Sequence, residues 1–122
     1  MRYAPLLIAL AIAAPVVHAA PLSDADADRL VQERGCWLCH RTAPFRTSSN
    51  EVPPTGPSWK DIAARYKGRP GMEDRLVETV LRGSRAGERR HWEGKASGGA
   101  MPQSAIEISA DEARQLVRWI LR

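Results

Sequence analysis

Five consecutive residues, Cys36-Trp37-Leu38-Cys39-His40, constrain this chain more than anything else in its 122 residues. They contain both of its cysteines. Residues three apart share one face of a helical turn, and a pair so close in sequence is too short a span to staple a fold. The two thiols are therefore there for chemistry. C-x-x-C-H is the attachment pattern for c-type haem. Two thiols on one face can add to the two vinyl groups of one porphyrin, and the histidine that follows projects over the ring to offer a nitrogen to iron.

Other chemistries use parts of the same pattern. A thioredoxin-like redox pair is also C-x-x-C, but it sits after a strand and at a helix start in a βαβ setting, and no segment of this chain reads as a strand. A zinc site needs four ligands. Beyond Cys36, Cys39 and His40, only His91 remains once the N-terminal segment described next is removed. Two buried cysteines beside a packed histidine would account for the five residues alone, but not for the export signal or for a second ligand downstream.

The chain opens with Arg2, runs without charge from Ala4 to Val17, and reaches small residues at Ala19 and Ala20. This is the layout of a secretory signal peptide. The apolar run is shorter than the ~20 residues of a membrane-spanning helix, and Pro15 interrupts its end, so removal is expected rather than a lasting membrane anchor. Val17 and Ala19 meet the small-residue rule, and a cut after Ala20 would place Pro21 behind the scissile bond. Cleavage is expected between Ala19 and Ala20, leaving residues 20–122 as one domain. Arg2 is the only charge lost with the leader, so the chain's 18 basic residues fall to 17 against 14 acidic ones, a net +3. That mild excess is no footprint of nucleic-acid binding. With one Phe and two Tyr, the chain has limited material for a core, and a large apolar cofactor would help to fill it.

The rest reads as helices joined by loops. Ser23, followed by Asp24, Asp26 and Asp28, predicts a capped helix start, with Ala27, Leu30 and Val31 on one face and Gly35 as its stop. The stretch 41–57, with Pro44, Pro53, Pro54, Gly56 and Pro57, reads as an irregular loop. Ser58 predicts the cap of a short helix to about Tyr66. A third helix is predicted over Glu73–Arg82, with Leu76, Val77, Val80 and Leu81 buried and Gly83 closing it. Glycines recur from Gly83 to Pro102, which reads as loop. Ser109-Ala110-Asp111-Glu112 is a capping box, followed by Ala113, Leu116, Val117, Ile120 and Leu121 at helical spacing.

Iron held by His40 needs a partner on its far side, and Met101, in Gly98-Gly99-Ala100-Met101-Pro102, offers a soft thioether that favours the ferrous state. Met72 competes, but beside Gly71 at a helix start a core or capping contact is the commoner use of a methionine. His91 is the other alternative and would make a bis-histidine haem. With both axial positions filled, no open site remains for oxygen or peroxide, and no catalytic residue is expected.

The helix leading to Cys36–His40, the segment Gly56-Pro57-Ser58-Trp59-Lys60-Asp61-Ile62-Ala63-Ala64-Arg65-Tyr66, the Met101-Pro102 pair and Ser109–Leu121 together resemble the small bacterial class I cytochromes c, periplasmic electron carriers. The resemblance implies an all-α fold of about four helices wrapped around one covalently bound haem c. It also implies single-electron exchange with transient redox partners and no enzymatic activity. It further implies that the Pro57 carbonyl accepts a hydrogen bond from His40, that the Trp92 indole N–H reaches a haem propionate, and that Leu116, Trp119 and Ile120 pack on the first helix near Leu30 and Val31. Trp92 as core filler is the alternative. The 41–56 loop is longer than in compact members. The segment holding Arg82, Arg85, Arg89, Arg90 and Lys95 is basic where a simpler loop is usual, and suits either steering of an acidic partner or a solubilising face. Two rival functions stand beside the free carrier. A haem subunit of a periplasmic oxidoreductase complex would co-purify with its enzyme partner, and a thiol oxidoreductase would have titratable thiols and no haem.

Overall fold

The computed structural model describes residues 20–46, 52–85 and 87–122. The expected leader, residues 1–19, and the Thr47-Ser48-Ser49-Asn50 run lie outside them. The order of elements is helix α1 (Asp24–Glu33), a 3₁₀ turn (Cys36–Leu38), α2 (Trp59–Tyr66), α3 (Met72–Arg82), a second 3₁₀ turn (Glu88–Trp92) and α4 (Ala110–Leu121). The described residues contain no strand.

Three of the four helices begin in the same way, with a serine followed three residues later by an acid. Ser23 Oγ accepts from the Asp26 amide at 3.1 Å, Ser58 Oγ from Asp61 at 3.0 Å and Ser109 Oγ from Glu112 at 3.2 Å. Each satisfies an amide that has no partner within its own helix. At α4 the capping box is complete, because Glu112 Oε2 accepts the Ser109 amide at 2.9 Å. Helix α3 differs. It starts one residue earlier than its hydrophobic spacing predicts, behind Gly71 at φ +74° and with no side-chain cap. The 3₁₀ turn at Glu88–Trp92 interrupts a stretch that reads as loop in the sequence, where glycines mask a single turn too short to carry a periodic pattern.

Helix α4 is the hub and touches α1, α2 and α3. Leu116 and Ile120 join Leu30, Val31, Trp59 and Ile62 in one cluster, while Ala113 and Val117 join Val77 and Ile108 in the other. Leu116 and Val117 are each 1% exposed. Burying a side chain of this size stabilises by about 1.5–3 kcal/mol, so α4 pins both halves of the molecule. Trp119 packs against the α1 side, as expected, and its Nε1 donates to Asp24 Oδ1 at 2.9 Å. Arg34, at the end of α1, pairs with Glu112 at 2.6 Å. This frame holds the chain fixed on both sides of Cys36–His40.

Candidate functional site

Helix α1 ends at Glu33 with Arg34 as its cap, and Gly35 turns the chain at φ +71°, a left-handed conformation that costs glycine little. Cys36 follows at once, in a turn closed by bonds from the amides of Cys39 (3.2 Å) and His40 (3.0 Å) to its carbonyl. Both thiols are unpaired and half-buried. Burial pushes the Cys36 thiol above its ordinary value. A thiol–disulfide exchange centre needs the opposite shift.

His40 is held on three sides. Its Nδ1 lies 2.7 Å from the Pro57 carbonyl, the contact that the family resemblance implies. Its ring stacks on Trp59, with centroids 4.5 Å apart and planes at 18°. Gly56 leaves it room, since a Cβ there would lie 2.8 Å from His40 Cε1. The loop is itself tied down, by the Gly56 amide to the Cys39 carbonyl at 2.7 Å and by the Trp59 amide to that of Arg41 at 2.8 Å. Burial lowers the imidazole's pKa, partly opposed by the Pro57 carbonyl, which favours the neutral form that ligates a metal. With Nδ1 engaged, Nε2 is the nitrogen left able to ligate a metal.

Beside these residues lies a cavity of about 490 Å³, within the range of cofactor sites. Cys36, Cys39, His40, Met101, Met72 and Trp92 all line it. The residues present fit a large planar apolar group with a metal at its centre: two thiols and an imidazole come from one short segment, and a thioether comes from a distant loop. Arg34 also lines the cavity, and its Nε is buried with no hydrogen-bond partner. No group of three or more His, Cys, Asp or Glu among the described residues is placed to hold a metal ion unaided.

The two competitors to Met101 fare differently. His91 is exposed and does not line the cavity, and its Nδ1 lies 3.4 Å from the Tyr66 hydroxyl. Met72 does line it, from the first residue of α3. Trp92 is half-buried, edge-on to Tyr66 at 5.9 Å, with the Arg65 guanidinium 5.3 Å over its ring. Of the basic segment, Arg85 pairs with Glu78 (2.7 Å), and Lys95 pairs with the buried Asp61 (2.5 Å), so part of its charge is spent inside the molecule.

Several residues that build this site were assigned no role in it from the sequence. Gly56 and Trp59 shape the pocket of His40. On the other side, Ser97 and Gly98 donate their amides to the Pro54 and Thr55 carbonyls, each at 2.9 Å, and join the Met101 loop to the loop after His40. Ser84 bonds both backbone polar groups of Met101. Apart from the segments that carry the resemblance, the proline and glycine content of 53–57 and 98–99 is the trace that these contacts leave in the sequence.

No protein-family model matches the chain. Among known proteins it is 33% identical over 97 residues to cytochrome c2 of Rhodocyclus tenuis, spanning 80% of this chain and 91% of that one. It is 37% identical over 92 residues to cytochrome c-551 of Allochromatium vinosum, spanning 75% of this chain and 80% of that one. The crystal structure of wild-type Nitrosomonas europaea cytochrome c552 superposes with a TM-score of 0.56 at 26% identity, over 77% of this chain and 95% of that one.

Proposed function

We propose that this chain, which belongs to the small bacterial class I c-type cytochromes, carries single electrons between transient partners in the periplasm. The family's members are electron carriers with one covalently attached haem c, and are not enzymes. When bound, haem c supplies the iron that cycles between ferric and ferrous states.

The observation that carries the reading is the shared cavity, in which the two thiols, His40 and Met101 meet. In our assignment Cys36 and Cys39 would hold the haem through thioether bonds formed by addition of their thiols to its vinyl groups, and His40 Nε2 and Met101 Sδ would be the two groups offered to its iron. The Pro57 carbonyl and the Trp59 ring fix the imidazole's orientation, and Trp92 offers its indole N–H to a propionate. With both groups on the iron no position would be left for a substrate, which would suit electron transfer. Trp37 and Leu38, 51% and 66% exposed, put apolar surface beside the two cysteines, the kind of surface that forms the centre of a contact with a partner. The leader at residues 1–19 supports export, with cleavage after Ala19. Among the described residues no helix is long and apolar enough to cross a membrane.

Potentiometric titration of the purified holoprotein tests this reading. The expected result is a single one-electron wave whose midpoint falls in Met101→Ala, with haem still attached, and holds in Met72→Ala. A fall in Met72→Ala alone would transfer the ligand role to Met72.

A further inference from the structure

Met101 sits in a stretch, residues 93–109, with no helix or strand of its own, yet its backbone is fully engaged. Its amide donates to Ser84 Oγ at 2.8 Å, and its carbonyl accepts from the Ser84 amide at 2.9 Å. Both bonds go to one residue, just past the end of α3. The next anchor back along the loop is Gly98, whose amide reaches the Thr55 carbonyl at 2.9 Å. Between the two anchors only Gly99 and Ala100 span the gap, and a Cβ on Gly99 would meet nothing within 4 Å.

Gly83 makes the contact with Ser84 possible. It has φ +87°, and a Cβ there would lie 2.8 Å from the Met101 carbonyl oxygen and 3.0 Å from the Gln103 amide nitrogen. The loop backbone lies flat on this glycine, where any side chain is excluded both by conformation and by contact. Pro102 restricts Met101 further, because a residue before proline is confined to extended conformations. The base of the arrangement is firm: the Gly83 amide closes α3 on the Thr79 carbonyl at 2.8 Å, and α3 is rooted in the core through Val77, 5% exposed.

We propose that Gly83 and Ser84 form the clamp that positions Met101, so that Ser84, which touches no reacting atom, sets how much of the time the thioether occupies its place. The inference rests on Met101 being the distal ligand. Ser84 is a positioning residue. Loss of its hydroxyl takes away the acceptor of the Met101 amide and leaves the carbonyl bond, which favours local opening of the loop over the closed state. An added ligand that enters only when the loop is open then binds in proportion to the open fraction.

The test is a titration of the ferric holoprotein with imidazole, read by loss of the sulfur-to-iron charge-transfer band. Ser84→Ala is expected to bind imidazole about five- to tenfold more tightly, the effect of one lost hydrogen bond. Ser84→Thr, which keeps the hydroxyl, should return close to the parent value. Ser23→Ala removes a helix cap of similar worth far from the loop, and should leave imidazole affinity unchanged. An unaltered affinity in Ser84→Ala, or an equal rise in Ser23→Ala, would overturn the clamp. Met101→Ala separates the two failures. If it retains haem but lacks the band, the ligand assignment stands whatever Ser84 does, and if it keeps the band, the assignment itself is wrong.

Discussion

The two walls of the cavity are built on opposite principles. On the His40 side, the turn that holds Cys36 and Cys39 follows α1 directly, and the imidazole is fixed by side chains and carbonyls from Gly56 to Trp59, which then run straight into α2. On the Met101 side the loop that carries the methionine, residues 93–109, has no regular element of its own. The loop is held by backbone bonds to Ser84 and to Pro54–Thr55, contacts that are distant in sequence. The first wall is rigid because it continues the core. The second depends on a few hydrogen bonds, each worth about 1 kcal/mol net, and is the part of the site able to open without unfolding the protein.

The sharpest way to break this contrast is to truncate its aromatic supports. Trp59 is buried within the main core cluster and stacked on His40, so Trp59→Ala should destabilise the holoprotein by about 3–5 kcal/mol in denaturant titration. Trp92→Ala, half-buried at the edge of the same cluster, should cost clearly less. Equal losses would mean that Trp59 is no more deeply rooted in the core than Trp92.

A smaller effect is expected at Gly98. A Cβ there would lie 2.4 Å from the Thr55 carbonyl oxygen, a backbone atom with little freedom to retreat. Gly98→Ala should push the two loops apart and weaken the charge-transfer band while the haem stays attached. A full-strength band would show that the Met101 loop does not rely on that junction.

The smallest effect is a pH dependence at the base of the His40 wall. Glu112, bonded to Arg34 and to the Ser109 amide, has its pKa held below the ordinary value of 4.5. Its contribution is therefore full at pH values above the unfolded carboxyl's pKa and is lost as pH falls through the lower, folded value. Glu112→Gln should lower the melting temperature at pH 7, with the gap to the parent closing in acid. A gap that stays constant with pH would remove the ion pair from the account.

The contrast between the walls also explains what could be read from the sequence. Cys36–His40, the three serine caps and the apolar faces of α1 and α4 are local patterns, and the structure places them where their spacing predicts. The Pro57 contact came only through the family resemblance. Gly83 was legible as the stop of α3 but not as the seat of the Met101 loop, and Ser84 and the Thr55–Gly98 junction had no local signature, because each matters through a backbone group brought to it by the fold. The ion pairs of the basic segment were hidden for a similar reason, since the partners of Arg85 and Lys95, Glu78 and Asp61, lie in other elements.

The central claim is that Cys36 and Cys39 hold one haem covalently, with His40 and Met101 on its iron. Its most direct test is the visible spectrum of the exported protein, oxidised and reduced, repeated after acidic organic extraction. The account predicts haem that resists extraction, sharp reduced bands, and a sulfur-to-ferric charge-transfer band that disappears in Met101→Ala. Protein free of haem from a host competent in cytochrome c maturation would contradict it and return the two cysteines to thiol chemistry.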